Sequence, residues 1–156
     1  HGLLDRNTCQ IFGYNSRLDS IQAIVASHML PKLPSINDVR RKNAAVLDNA
    51  LRKVSGVTII GQNSFDLTHS YHLYSQLFDD RNQLKDVLNN AGIDAKIHYP
   101  VPMHLQPAAK EWGYKCGDFP EAEAASKRTL SLPVHEFISF NDLCTICNCI
   151  ESFYDR

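Results

Sequence analysis

The sequence predicts an α+β fold in which helices cover one side of a small, mostly antiparallel sheet. Three observations predict it: apolar segments of helical period interleave with short alternating segments, capping motifs mark helix starts, and glycines and prolines separate the segments. The 156 residues, 44% hydrophobic and 21% charged, suit one ordinary domain with an apolar core. Disordered, collagen-like and low-complexity classes are excluded.

The first two helices are each predicted from a capping box, a hydroxyl residue followed three positions later by a carboxylate. Residues 16–19 (Ser-Arg-Leu-Asp) open a helix that we expect to end at Pro31 and Pro34. Residues 35–38 (Ser-Ile-Asn-Asp) open a second, which we expect to stop at Gly56.

Strands are predicted where short apolar runs follow these helices. Residues 57–60 and 69–78 form two of them, and a helix that Gly92 closes comes next. Residues 93–99 alternate strictly between apolar and polar side chains and predict a third strand. Prolines then break the chain into a loop.

The last third of the chain predicts two more helices with a strand between them. A short helix is expected at residues 108–112, and Asp118 caps the next helix. Residues 130–132 form the strand. The capping box at residues 139–142 (Ser-Phe-Asn-Asp) opens a helix that runs nearly to the end of the chain.

Charge and cysteine content narrow the function classes. The 16 basic and 17 acidic residues give a net charge of −1, which makes no electrostatic case for nucleic acid or an anionic membrane. No apolar run approaches the roughly 18 residues that a membrane span needs. Five cysteines do not form the even, dense pattern of a secreted disulfide framework, so we expect a cytoplasmic protein.

The segment before the first predicted helix could bind an anion. A helix start offers free N–H groups, Asn15 adds two side-chain donors, and Arg17 could hold a phosphate or carboxylate with two parallel bonds. The alternative is that Asn15 and Ser16 only cap the helix, while Arg17 is solvated.

A second candidate site follows the third predicted strand. His98 and Tyr99 lie at the strand end, and His104 lies in the proline-stiffened loop after it, where ligand groups often gather. The alternative is a pair of ordinary surface histidines.

Cys144 and Cys147 have the C-x-x-C spacing of a metal motif, but no second cluster supplies further ligands. Cys147 shares a helical stripe with Leu143 and Ile150. We therefore predict buried thiols and no metal, with a zinc-stabilised interaction domain as the alternative.

Several of these segments together resemble the DegT/DnrJ/StrS-type sugar aminotransferases. The resemblance is carried by GYNSRLDSIQAI at residues 13–24 and DDRNQLKDVLNNAGIDAKIHYPVPMHLQPA at residues 79–108. RRKNAAVLDNAL at residues 40–51, YHLY at residues 71–74 and FPEAEAASKRTLSLPVH at residues 119–135 add to it, as does the His1-Gly2 pair.

The resemblance implies the small C-terminal domain of a fold-type-I, pyridoxal 5'-phosphate (PLP)-dependent enzyme. Such an enzyme moves an amino group from an amino acid, usually glutamate, to a nucleotide-linked keto sugar, here at C3. Asn15 and Arg17 would then bind the cofactor, with Asn15 reaching across a homodimer to the cofactor phosphate. His98, Tyr99 and His104 would line the sugar-nucleotide site.

The resemblance also implies a missing N-terminal large domain, which carries the Schiff-base lysine. The chain begins at His1 without Met, and we expect residues 1–15 to be an arm from the domain junction and residues 16–156 to be the small domain. This chain alone would hold no catalytic lysine, bind no PLP and be inactive. The alternative is a free-standing α+β module that binds a ligand or partner without catalysis.

Overall fold

The computed structural model describes residues 2–60 and 68–155, so His1 of the His1-Gly2 pair lies outside the described residues. These residues form two compact units. The first unit comprises residues 2–31 and 99–127, and the second comprises the remaining described residues.

The second unit contains a three-stranded antiparallel sheet with the strand order β1-β2-β3. The strands are β1 (Val57–Thr58), β2 (Tyr74–Phe78) and β3 (Thr129–Leu132). Val57 pairs with Phe78, and Tyr74 pairs with Leu132. The α+β prediction with a small antiparallel sheet is therefore confirmed.

Three helices pack with this sheet around one apolar core. They are α2 (Leu33–Leu51), α3 (Arg81–Asn90) and α5 (Phe140–Tyr154), numbered after α1 (Ser20–Met29) of the first unit. Helix α5 packs against α2 and α3, and α3 also contacts β2 and β3. The largest fully buried side chains are Leu47, Leu51, Tyr74, Phe78, Leu84, Leu88, Leu130, Leu143 and Ile150.

The alternating segment at residues 93–99 only partly follows its prediction. Ile93 and Ala95 are buried as the alternation requires, and Lys96 forms an isolated bridge with Ser131 of β3. No strand longer than this single bridge forms between residues 93 and 99. The backbone of Tyr99, the last residue of the segment, has a left-handed φ of 54°. The predicted third strand is thus reduced to one bridged residue pair.

The first unit is organised differently, because very little of it is apolar and buried. It contains α1, two 3-10 turns (Met103–Leu105 and Pro107–Trp112) and most of α4 (Pro120–Arg128). In its described part the buried residues are Ala109 and three polar ones, His104, Glu123 and Ser126. Helix α1 has no buried residue.

Two of the three predicted capping boxes are wrong. Helix α1 begins at Ser20, because Asp19 caps it by accepting the Gln22 N–H at 2.8 Å. Helix α2 begins at Leu33 with Pro34 in its first turn, where the missing proline N–H costs nothing. Pro34 therefore starts a helix and does not end one.

The third capping box is confirmed. The Ser139 hydroxyl accepts the Asp142 N–H at 3.2 Å, and Asp142 Oδ2 accepts the Ser139 N–H at 3.0 Å. Strand 69–78 is shorter than predicted and begins at Tyr74. Within the described residues, no helix is long and apolar enough to cross a membrane.

Candidate functional site

The segment that carries Asn15 and Arg17 forms a shallow cavity in the first unit. Its volume is about 200 Å³, and Leu3, Gly13, Tyr14, Asn15 and Arg17 line it. The polar side chains among them, Tyr14, Asn15 and Arg17, can all donate hydrogen bonds, and no acidic residue lines the cavity. An anion such as a phosphate therefore fits the chemistry of this cavity, so the residues present are compatible with a PLP phosphate.

The helix start does not contribute to this cavity as the sequence predicted. Helix α1 begins five residues after Asn15, and the Asp19 carboxylate already caps its first turn. A capping carboxylate also places a negative charge where the helix would otherwise attract an anion. Asn15 and Arg17 can therefore offer an anion only groups of their own segment.

Gln106 holds the N-terminal segment to the loop that follows Tyr99. Its Oε1 accepts the Cys9 N–H at 2.8 Å, and its Nε2 donates to the Asn7 carbonyl at 3.0 Å and the Val101 carbonyl at 3.3 Å. The Ala108 N–H donates to the Cys9 carbonyl at 2.9 Å. The segment that leads to Asn15 and the loop that carries His104 are thus joined by direct hydrogen bonds.

His104 is buried and hydrogen-bonded, so it is not a surface histidine. Its Nε2 lies 3.0 Å from Glu123 Oε1, and its ring packs against Phe119 at 4.8 Å between centroids. The side chains of His104 and Glu123 are 7% and 9% exposed. The sequence did not predict the contact with Glu123, because the two residues lie 19 positions apart and nothing local marks the pair.

Glu123 accepts two further hydrogen bonds. The Cys116 thiol donates to Oε2 at 3.1 Å, and the Gly117 N–H donates to Oε1 at 2.7 Å. The bond from Cys116, then that from Gly117, and to a smaller extent that from His104 lower the pKa of the Glu123 carboxyl to about 2. Glu123 is therefore a carboxylate at any physiological pH, and its proximity raises the pKa of the Cys116 thiol.

The other two predicted site residues lie on either side of the boundary between the units. Tyr99 belongs to the first unit and is 82% exposed. His98 belongs to the second unit, where it is half-buried and lines a cavity of about 570 Å³. His72, His135, Lys96 and Arg40 also line this cavity, which the sequence did not predict.

Ion pairs already engage the strongest cations of that cavity. Arg40 donates to Glu136 through Nε and Nη2 and to the Tyr71 carbonyl through Nη1, while Lys96 pairs with Asp94 at 2.6 Å. The lining of the cavity is more apolar than polar, and its strongest cations carry nearby counter-charges.

The cysteines of α5 behave as the helical stripe predicted. Cys147 is buried with Leu143 and Ile150, and burial is the main cause that raises the pKa of its thiol to about 11. Cys144 and Cys149 are half-buried. Among the residues that the structure describes, no group of three or more His, Cys, Asp or Glu side chains could hold a metal ion.

Comparisons with known proteins identify the family. The model of the DegT/DnrJ/EryC1/StrS aminotransferase family matches residues 1–151. A pleiotropic regulatory protein of Geobacillus stearothermophilus is 38% identical over 135 residues, which are 86% of this chain and 36% of that protein. The UDP-2-acetamido-2-deoxy-3-oxo-D-glucuronate aminotransferase of Pseudomonas aeruginosa is 32% identical over 139 residues, again 86% of this chain and 36% of that enzyme.

A solved structure agrees with these matches. The crystal structure of S. venezuelae DesV in complex with a ketimine intermediate superposes with a TM-score of 0.83 at 30% identity, over 99% of this chain and 42% of DesV. This chain therefore spans well under half the length of the relatives it matches. The fold and a match along nearly the whole sequence agree, and the chain belongs to the DegT/DnrJ/EryC1/StrS aminotransferase family.

Proposed function

We propose that this chain is the C-terminal part of a PLP-dependent aminotransferase that moves an amino group from glutamate to C3 of a nucleotide-linked keto sugar. The family match over residues 1–151 is the observation that carries the proposal. The C3 position is supported by the name of the Pseudomonas relative, whose substrate is a 3-oxo sugar. The amino-acid sequences of residues 13–24 and 98–108, which carry the family resemblance, also support it.

Asn15 and Arg17 hold the cofactor phosphate in this proposal. Their side chains offer neutral and charged donors to an exposed cavity free of acidic residues, which suits a dianion. Bound PLP supplies the electron sink for amino transfer. In a homodimer these donors would serve the cofactor of the other subunit, which agrees with their exposure in this chain.

The substrate side of the proposal rests on His98, Tyr99 and His104. Tyr99 and His104 belong to one loop of the first unit, and Gln106 joins that loop to the segment before Asn15. Tyr99 and His104 would thus be held in a fixed relation to the segment before Asn15 by hydrogen bonds of the Gln106 side chain, as precise positioning of reacting groups requires.

The proposal also requires that a large part of the active protein lies outside this chain. Helix α1 leaves its apolar side chains exposed, among them Ile21 at 76% and Ile24 at 70%. An apolar helix face is normally packed against another part of the protein. The relatives are more than twice as long as this chain, so the rest of such a protein is large enough to pack against α1. That further part would also carry the Schiff-base lysine, so this chain alone transfers no amino group.

The experiment compares this chain with the protein made from the complete reading frame that contains it. Each is incubated with PLP and glutamate, and 2-oxoglutarate is measured. We expect the longer protein to form one 2-oxoglutarate for each bound cofactor and this chain to form none. A PLP-loaded longer protein that releases no 2-oxo acid from glutamate, glutamine, aspartate or alanine would contradict the proposal. A reading frame limited to this chain would favour a free-standing binding module.

A further inference from the structure

The cavity of about 570 Å³ is formed entirely by residues of the second unit. Its volume is typical of sites for small molecules, which usually measure roughly 300–1,000 Å³. Four of the side chains that line it are apolar and buried: Ile93, Leu132, Val134 and Ile146. A molecule in this cavity would therefore contact apolar side chains of the core.

The acidic, lysine and arginine side chains of the lining are already engaged within the protein. The contacts are Arg40 with Glu136 at 3.1 Å, Lys96 with Asp94 at 2.6 Å, and Asp142 with Ser139 at 2.7 Å. A charged ligand would have to compete with these contacts for its counter-charge, whereas an uncharged ligand leaves all of them intact. The lining therefore favours an uncharged ligand.

His135 offers the cavity a hydrogen-bond donor in either charge state of its ring. The Phe137 N–H donates to His135 Nδ1 at 3.3 Å, so in the neutral ring the proton is on Nε2. The charged ring carries a proton on both nitrogens. Among the described residues, Nε2 has no hydrogen-bond partner. His135 Nε2 therefore suits an acceptor on the ligand, such as a carbonyl oxygen.

Contacts with α2 fix the backbone that carries His135. The Asn43 side chain, which is 8% exposed, donates from Nδ2 to the His135 carbonyl at 3.0 Å. Arg40 binds the next residue, Glu136, and also donates from Nη1 to the His72 carbonyl at 3.4 Å. Two parts of the cavity lining are thus joined to one helix, so the site is largely formed before a ligand binds, as is usual for small-molecule sites.

We propose that this cavity binds an uncharged, planar small molecule, which accepts a hydrogen bond from His135 Nε2 and packs its ring against Phe137. The Phe137 side chain lines the cavity and is 86% exposed, so its ring is accessible to such a ligand. The inference does not rest on the proposed function, because of the residues assigned there to the substrate only His98 lines the cavity. It adds a second ligand site to the chain.

Acetophenone is the test ligand, because it is uncharged and planar and carries one carbonyl acceptor. Its binding to the ¹⁵N-labelled chain is followed by amide chemical shifts in nuclear magnetic resonance. We expect saturable shifts at the residues that line the cavity, with a Kd on the order of 1 mM, as suits a ligand of this size. Benzoate has the same ring with a carboxylate and should bind about tenfold more weakly, because its charge would lose water without gaining an unpaired cation.

The hydrogen bond is tested with His135→Phe, which keeps a ring but removes the donor. The Kd for acetophenone should rise about fivefold, the equivalent of one hydrogen bond. His69→Phe is the matched control, because His69 Nδ1 accepts the Tyr71 N–H at 2.8 Å in the same local arrangement but does not line the cavity. This control should keep the wild-type Kd.

The position of the ligand is tested with substitutions of exposed residues, which spare the core. Thr145→Trp places a large side chain in the lining and should abolish binding, whereas Asn148→Trp, outside the lining on the same helix, should leave it unchanged. Phe137→Ser should weaken binding, and Phe140→Ser, which replaces another exposed phenylalanine outside the lining, should not. The amide spectrum of each variant also shows whether it is folded.

Several results would overturn the inference. They are acetophenone shifts that do not saturate, benzoate that binds as tightly as acetophenone, or an unchanged Kd in either His135→Phe or Thr145→Trp. Displacement of acetophenone by UDP-N-acetylglucosamine would make the cavity part of the sugar-nucleotide site. Binding to this chain but not to the protein from the complete reading frame would show that the cavity is an interface within the longer protein, and would equally contradict a ligand site.

Discussion

Gln106 and Cys9 are 97 positions apart in the chain and joined by a hydrogen bond of 2.8 Å from the Cys9 N–H to Gln106 Oε1. The Gln106 side chain also donates to the carbonyls of Asn7 and Val101. One side chain therefore ties the N-terminal segment, which leads to Asn15, to the loop of His104. Because the first unit has so little buried apolar surface, we expect hydrogen bonds such as these to contribute much of its stability.

Gln106→Leu should loosen the N-terminal segment, because leucine can neither accept from Cys9 nor donate to Asn7. The expected result is faster hydrogen exchange of the Cys9 amide by about tenfold, the equivalent of one lost hydrogen bond. Amide exchange followed by nuclear magnetic resonance measures it. Gln10→Leu changes an exposed glutamine of the same segment and should leave the Cys9 rate unchanged. Equal rates in wild type and Gln106→Leu would contradict the role given to Gln106.

Asn15→Ala should weaken PLP binding in the protein from the complete reading frame. Removal of an amide that donates to a charged phosphate should raise the Kd about tenfold or more, because hydrogen bonds to charged groups are the stronger ones. Cofactor titration followed by absorbance measures it. Asn7→Ala replaces another exposed asparagine of this segment and should keep the wild-type Kd. Identical Kd values for Asn15→Ala and wild type would remove Asn15 from the cofactor site.

Acidification should weaken the first unit through Glu123. Hydrogen bonds hold its pKa in the folded chain at about 2, below the ordinary 4.5, so its stabilising contribution is complete above pH 4.5 and is lost as the pH falls towards 2. The stability advantage of wild type over Glu123→Gln should therefore shrink over this range. Thermal unfolding of both proteins at a series of pH values measures it. A difference that is constant from pH 6 to pH 2 would show that the carboxylate charge contributes nothing.

Gly56→Ala should destabilise the second unit. Gly56 has a φ of +83°, and a Cβ there would lie 2.6 Å from Tyr154 Cε1. The left-handed backbone alone costs a residue with a Cβ about 1–2 kcal/mol, and displacement of the Tyr154 ring adds to it. Urea unfolding measures the change. Gly92→Ala has a similar φ of +80° with nothing within 4 Å, so it isolates the contribution of the ring contact. Equal losses in the two variants would contradict that contribution.

Local motifs predicted helices well only where no neighbouring residue offered a better start. The box at Ser139 is confirmed because nothing around it competes. At Ser16, the nearby Asp19 and Gln22 form a stronger reciprocal box, and the helix begins there. Before Ser35, Pro34 favours the first turn, and the Ser35 hydroxyl donates to the Lys32 carbonyl at 2.8 Å.

Long-range pairing explains what the sequence could not predict about the candidate site. Alternation identified Ile93 and Ala95 as buried, but strand length depends on partners, and Lys96 alone is bridged to β3. His104 was selected from its loop, whereas its hydrogen-bond partner Glu123 lies 19 residues away. Gln106 was passed over because its partners lie near the start of the chain. Spacing along a sequence does not encode such contacts.

The measurement that tests the central claim most directly follows the amino group itself. The protein from the complete reading frame is loaded with PLP and given ¹⁵N-glutamate and a nucleotide-linked 3-keto sugar. The account predicts a nucleotide-linked amino sugar that carries ¹⁵N on C3, identified by mass spectrometry and nuclear magnetic resonance, and no product from this chain alone. Unlabelled sugar after many equivalents of glutamate, from a protein that has bound PLP, would contradict it.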